Sequence, residues 1–470
     1  MESAIRIEKT AGRRTVRGAH GLAFAGLFAF TLLLYMRPNE LFPEVFGTFP
    51  LVKIVAIATL LSYVGSKLLQ GEPLTIWPIE LKMLLVITAL GILFVPIAVS
   101  PKESTDLLTD MFLKVVAIFI LMINLINTRE RLWTILKLVV ICGTLLAFFA
   151  ILSYVEGKFT VLTRGEQGTV VGMRISGMVG GIFENPNDLA TSLDLLIPLA
   201  VALALTRKGL GRAFYFVCAA ILGTGVILTF SRGGFLGMIA MAALLLWKVG
   251  RSNKAMTAVA IATVAMVFLI AMPVGYSSRI TSIFDTSSDP TGSAQARRDL
   301  LERAASVAAN HLVLGVGMGN YSIYSIGEQR AHNSFLEISA ELGLAGLVAY
   351  LIMLWAPLRS LRRIEKENLV GVRKGRQEIY YLVAAAQASL VAYIVCSCFG
   401  SIQYHWFLYY PLAYAVSLKR ICAEEAGEPA LKESTVNAPR EKVRAVLWKP
   451  HQKKRALLIR DGRQMDFDGR

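Results

Sequence analysis

Charge is scarce in this chain. Asp, Glu, Lys and Arg make up 17% of its 470 residues and hydrophobic residues 55%, where a soluble globular protein is about a quarter charged. That balance, with a mean hydropathy of +0.55, excludes an ordinary water-soluble domain and describes an all-α, polytopic integral membrane protein. Cysteine is scarce too. Cys142, Cys218, Cys396, Cys398 and Cys422 fall in apolar runs or in the C-terminal segment, which excludes a disulfide framework. Cys396-Ser397-Cys398 is too tight for a two-residue metal knuckle and reads as small residues for helix packing. Acidic residues are the minority sign, 33 against 49 Lys and Arg, for a net charge of +16. The basic excess collects in alternate short loops and in the last fifty or so residues, so membrane topology and anionic lipid headgroups account for it and no nucleic-acid partner is expected. No internal repeat is strong enough to argue for an inverted-repeat transporter.

Long apolar runs are what the chain has in abundance. A helix needs roughly 20 residues to cross about 30 Å of hydrocarbon. Twelve runs approach that length, at 20–36, 49–69, 83–99, 111–127, 132–154, 189–205, 213–230, 234–249, 255–273, 333–357, 378–400 and 402–418. The last two could form a hairpin with a tight turn at Gly400-Ser401. Lys and Arg cluster before the first run, at Arg129/Arg131, at Arg207/Lys208/Arg212, at Lys248/Arg251/Lys254 and from Arg359 to Arg376, and those loops are expected in the cytoplasm. The loop 100–110, with Glu103, Asp106 and Asp110 against Lys102, is then outside, and both termini are cytoplasmic. No small-x-small cleavage site follows the first run, which reads as a retained span. The chain thus divides into a cytoplasmic segment 1–19, a membrane domain 20–418 with a large outer loop at 274–330, and a basic tail 419–470 that is either disordered or a surface-lying amphipathic element.

Against that topology, four cationic or titratable residues stand on the outer side: Arg174, Arg232, Arg297 and His332. An arginine outside runs against the orientation rule, so its position points to a use, the plainer reading being one that snorkels to lipid phosphate. Arg174 lies in a glycine-rich loop that ends in Asn185-Pro186-Asn187-Asp188, where Asn187 or Asp188 can cap the following span. Arg232 lies in the short turn Ser231-Arg232-Gly233-Gly234. Arg297 shares a predicted amphipathic helix, 294–311, with Arg298 and Arg303, and that helix could lie over the membrane face as a lid. Gly315-Val316-Gly317-Met318-Gly319 has no strand before it and reads as a flexible turn rather than a dinucleotide loop. In Ala331-His332-Asn333-Ser334-Phe335-Leu336-Glu337, Ser334 and Glu337 have capping-box spacing. His332 and Asn333 then sit beside unpaired N–H groups at the positive end of a helix dipole, where an anion is welcome and a neutral imidazole is favoured. Glu341 and Asp194 are carboxylates within spans, and such residues are functional by default.

Arg174 to Gly177 with Asn185-Pro186-Asn187, Ser231-Arg232-Gly233-Gly234, Gly317-x-Gly319-Asn320 and His332-Asn333-Ser334-Phe335 followed by Glu341-Leu342-Gly343 together resemble the O-antigen ligase and O-antigen polymerase superfamily. The resemblance covers about residues 170–345 and implies a bacterial inner-membrane glycosyltransferase with its active site facing outward. Such an enzyme moves a glycan from a polyprenyl diphosphate carrier to an acceptor hydroxyl on another repeat unit, on lipid A core sugar or on a protein side chain. No cofactor is implied. Asp466-Phe467-Asp468 has metal-binding spacing but lies in the cytoplasmic tail. On this reading Arg174, Arg232 and Arg297 clamp the diphosphate, since arginine suits it bidentately. His332 acts as base for the acceptor or as a donor to the diphosphate, with Asn187, Asn333, Glu337 and Glu341 in support. A secondary transporter of a small anion such as bicarbonate is the rival from another class, and a non-catalytic envelope scaffold a third.

Overall fold

The computed structural model describes residues 20–38, 43–47, 50–157, 160–164, 170–177, 183, 185–250, 293–369 and 377–426. The expected ninth span (255–273), the outer loop up to 292, the segment 1–19 and the tail beyond 426, with Asp466 and Asp468, lie outside them.

Apolar composition produces helices wherever it runs long enough. In order they are α1 (Gly21–Met36), α2 (Leu51–Leu69), α3 (Ile79–Phe94), α4 (Leu113–Leu125), α5 (Arg129–Val155), a ribbon of β1 (Thr160–Arg164) and β2 (Val170–Ile175), then α6 (Pro186–Thr206), α7 (Gly209–Leu228), α8 (Arg232–Gly250), α9 (Ser293–Asn310), α10 (Ser334–Leu369), α11 (Gln377–Ser397) and α12 (Tyr409–Ala426). Among the described helices eight are long and apolar enough to cross a membrane: α2, α3 with its 3-10 extension to Ile97, α5, α6, α7, α8, α10 and α11. The shorter apolar α1, and α4 and α12, also fall where spans were expected.

Several boundaries differ from expectation for local reasons. The stretch read as the acidic outer loop 100–110 is helical, because Ser100 accepts from Glu103 N and Pro101 stands at the first helical position, where a missing N–H costs nothing. A π-helical turn, Leu107–Phe112, leads from it into α4. For α6 the cap is Asn185, whose Oδ1 accepts from Asn187 N at 2.9 Å, so Asn187 and Asp188 sit inside the first turn rather than at the cap. No tight hairpin joins α11 to α12: residues 398–408 intervene, ending in a 3-10 turn at Trp406–Leu408. Helix α12 continues past 419, the expected start of the tail, to Ala426.

The core forms around α6, with 89% of its apolar window buried against α5, α7, α8 and α11. At the rim α2 is only 11% buried, with Ile54, Ile57, Leu60, Leu61 and Leu68 exposed as lipid-facing side chains. Glycines let α8 approach its neighbours: a Cβ at Gly234 would stand 2.5 Å from Ala190 Cβ of α6, and one at Gly237 2.5 Å from Cys396 Sγ of α11. In the same contact Cys396 Sγ donates to Asp194 Oδ2 at 3.6 Å, so fully buried Asp194 is part of this seam.

At the opposite end of α8 from Arg232, Lys248 Nζ lies 2.6 and 2.5 Å from the two Glu365 oxygens, and Gln387 Nε2 donates to Glu365 Oε2 at 3.1 Å. Lys248 is 5% exposed, so this pair ties α8, α10 and α11 in a low dielectric, where removing one partner strands a buried charge. Lys248→Met is therefore expected to destabilise the protein by about 3–5 kcal/mol, and Lys248→Met with Glu365→Met together by much less. Thermal unfolding of the purified variants in detergent checks both; equal losses would argue against a stranded charge.

Candidate active site

Helix α10 is not one rod. At Gly343 the backbone turns to φ 66°, ψ −170°, a left-handed value that a side chain would strain. The break frees backbone groups, and the stretch 312–317 takes them up: Val316 N donates to Ala340 O at 2.9 Å, Gly317 N to Glu341 O at 3.0 Å, and Leu344 N to Leu312 O at 2.8 Å. Gly315 packs directly against the Glu341 carbonyl, with no room for a Cβ. Asn320 then ties this stretch to the start of the helical course toward α4, accepting from Ser100 N at 2.7 Å and donating to Ser104 Oγ at 2.8 Å. The glycine run read as a flexible turn is thus a packed strap. It leaves residues 334–342 as a short separate helix, and that helix carries the site.

Asn333 caps this helix, its Oδ1 accepting from Phe335 N and Leu336 N, both at 3.0 Å. The expected Ser334–Glu337 capping box does not form. Ser334 Oγ donates instead to Gly400 O at 2.7 Å and accepts from Ile402 N at 2.9 Å. Glu337, fully buried, gathers donors from two segments. Arg330 reaches Oε1 at 2.5 Å, Gln403 Nε2 donates to the same oxygen at 3.0 Å, and Ala331 N donates to Oε2 at 3.0 Å, as does the Ser401 hydroxyl. Ser401 Oγ also accepts from His332 N at 3.0 Å, so the turn Arg330-Ala331-His332 is wound around one carboxylate. Glu341, one turn on, finds a partner that sequence did not reveal: Tyr404 OH donates to it at 2.7 Å.

His332 itself has φ 51°, an uncommon conformation enforced by these bonds. Among the described residues its ring has no hydrogen-bond partner. Burial lowers its pKa from the ordinary 6.5, and Arg297 and Arg330 lower it further while Glu337 opposes them. Neutral imidazole is therefore favoured as expected, through burial and arginines. The N–H groups expected to welcome an anion here are partly taken by Asn333.

The other predicted residues meet at this same end of the helices. Arg174, on β2, donates from Nε to Thr229 O at 2.7 Å and from Nη2 to Asn187 Oδ1 at 2.8 Å, bridging the end of α7 to the start of α6. Three residues after Thr229 stands half-buried Arg232, opening α8 behind the Ser231 cap. Phe399 packs on Gly233, which brings the α11–α12 connector from Arg232 across to His332. On α9, half-buried Arg297 acts electrostatically on His332, whereas exposed Arg298 pairs with Glu302 and Arg303 with Tyr324 O. That helix is no loose lid: Ala304, Val307 and Ala308 are buried with Val316, Tyr321, Ala331 and Ala340, so α9 is a platform beneath the histidine.

Arg330 was missed by sequence reasoning, although its expected placement outside, two residues before His332, carried the same signal as the other arginines. Burial works against its charge, but the Glu337 carboxylate outweighs burial and holds its pKa above the ordinary value. Nearly half of its side chain, 46%, remains accessible, and its field reaches Asp188, His332 and His405. The connector was missed as well. On it, burial and Arg330 together push the His405 pKa down to about 3.

Residues 217–351 match the O-antigen ligase family model. The matched stretch runs from α7 into α10 and contains Arg232, Arg297, Arg330, His332, Glu337 and Glu341, while Arg174, Asn187 and the connector lie outside it. It supports placing the chain in the O-antigen ligase and polymerase superfamily, and with it a membrane glycosyltransferase-like ligase or polymerase role. No curated protein matches the chain.

The opposed influences on His332 have separable signs. Arg297→Gln should raise its pKa toward 6.5 and Glu337→Gln should lower it further. Titrating the imidazole by NMR in histidine-labelled protein reads both shifts; movement in the opposite direction would mean that those charges do not face the ring.

Proposed function

We propose that this protein transfers a glycan from a polyprenyl diphosphate carrier to an acceptor hydroxyl, as a surface-polysaccharide polymerase or O-antigen ligase. The observation that carries the reading is that Arg297 and Arg330 both act on a half-buried His332 whose ring has no hydrogen-bond partner among the described residues, with Arg232 beside the Phe399–Gly233 contact of the α11–α12 connector and Arg174 bonded to the neighbouring helix ends. Breaking the anomeric C–O bond leaves a diphosphate whose charge must be stabilised, and preorganised guanidinium groups do this through paired N–H donors without a metal. His332 takes the proton of the acceptor hydroxyl as its oxygen attacks the anomeric carbon, and the diphosphate departs on its polyprenyl chain. A lowered pKa suits that base, because the imidazole stays unprotonated below the usual histidine range. Glu337 and Asn333 position the histidine. Asp194 and Glu341, the intramembrane carboxylates that with twelve expected spans could describe a carrier, are both packed within the protein, against Cys396 and Tyr404.

The active end faces outward and both termini are cytoplasmic on this reading. A cysteine placed at Ser288 should react with an impermeant thiol reagent in intact cells and one at Ser360 should not; the reverse would invert the topology.

The transfer itself is tested with purified protein in nanodiscs, a polyprenyl diphosphate-linked oligosaccharide, and repeat-unit, lipid A core and peptide acceptors. His332→Ala should lower transfer about 10²–10⁴-fold, the usual worth of a general base. Arg232→Lys, which keeps charge but loses the fork, should lose most activity. Wild-type protein that transfers to none of these acceptors yet moves bicarbonate in proteoliposomes would be a transporter.

A further inference from the structure

The connector between α11 and α12 carries two polar atoms that the protein leaves unsatisfied. Among the described residues, Gln403 Oε1 and His405 Nδ1 are removed from solvent and have no hydrogen-bond partner. Native proteins rarely keep such atoms, and those that persist call for an explanation. Both border Arg330. Gln403 shares with it a single oxygen of Glu337, donating from Nε2 at 3.0 Å where Arg330 Nε donates at 2.6 Å. His405 lies within the Arg330 field, and its ring sits edge-on to Phe407, with centroids 5.3 Å apart.

The chemistry of the two atoms restricts what satisfies them. Because the Gln403 Nε2 is committed to a carboxylate, its Oε1 is fixed as an acceptor. His405 is neutral throughout the physiological range, so its Nδ1 offers one neutral hydrogen bond and no charge. A phosphate oxygen accepts only and would be repelled by Gln403 Oε1, whereas an alcohol hydroxyl both donates and accepts. We propose that Gln403 and His405 form a sugar-hydroxyl subsite that holds the first sugar of the carrier-linked glycan beside Arg330. The subsite rests on the transferase reading above. It divides the work there: arginines take the diphosphate, and the connector takes the neutral ring attached to it. A site built to hydrogen-bond a hydroxyl discriminates strongly against ligands that lack it.

Two probes separate this from other roles: undecaprenyl diphosphate alone, and the same lipid carrying an oligosaccharide, each titrated against protein in nanodiscs. His405→Ala should weaken the sugar-bearing lipid about tenfold or more, as loss of a hydrogen bond to a buried group does, and leave the bare lipid within about twofold, while Gln403→Ala, which also loosens Glu337, should weaken the sugar-bearing lipid more than the bare one. In transfer assays KM should rise more than kcat falls. His405→Asn, whose amide occupies the position of Nδ1, should recover most of the affinity, whereas a purely structural role would make it as damaging as alanine. Equal weakening on both lipids would overturn the subsite by assigning the connector to the diphosphate, and unchanged binding of both would overturn it outright. A wild-type protein that transfers glycan while the variants match it sinks the subsite alone. One that binds neither lipid sinks the transferase reading together with it.

Discussion

A single buried carboxylate organises the active end of this protein. Glu337 has no exposure to solvent, and an ion so placed is tolerable only when hydrogen-bond donors surround it. They come from Arg330 and Ala331, just before its helix, and from Ser401 and Gln403 of the connector, two segments that the carboxylate ties together. The left-handed turn at His332 and the docking of the eleven-residue connector are tied to that one group, with Ser334 and Glu341 holding the connector on either side of it. Glu337 is thereby both a structural requirement and the means by which a histidine and an arginine are held beside each other.

The membrane domain supplies what the carboxylate cannot, a rigid floor. Glycines at 234 and 237 bring α8 against α6 and α11, and the buried Lys248–Glu365 pair closes the far end of the same three-helix seam with α10. Arg174 reaches from a β-ribbon to fix the ends of α6 and α7, so each cation arrives on a different element whose start or end is defined. Preorganisation of this kind is what electrostatic catalysis needs, because donors already in place do not have to be reoriented as charge develops.

Much of this was legible in the sequence. The spans are visible because hydrophobic length is a strong signal, and their ends are misjudged where local chemistry overrides it: the Ser100 cap extends a helix into an acidic loop, and Pro186 hands the α6 cap to Asn185. Arg174, Arg232, Arg297 and His332 stand out because the basic-loop pattern predicts them on the side where cations are expected to be few. The spacing of Ser334 and Glu337 suggested a local capping box, but both side chains bond to distant residues of the connector, and no spacing rule reports a contact across more than sixty residues. The same limit hid Tyr404 as the partner of Glu341 and made a glycine strap look like a loose turn.

The break at Gly343 lies where the strap crosses it. A continuous span tilts as a unit when bilayer thickness changes, and whatever rides on its end swings with it. Here the 312–317 strap bonds both sides of the break, Ala340 and Glu341 before it and Leu344 after it, and is anchored in turn through Asn320 to Ser100 and Ser104. The kink is splinted, and the short helix that follows His332 is braced against a second part of the protein as well as against the span it begins.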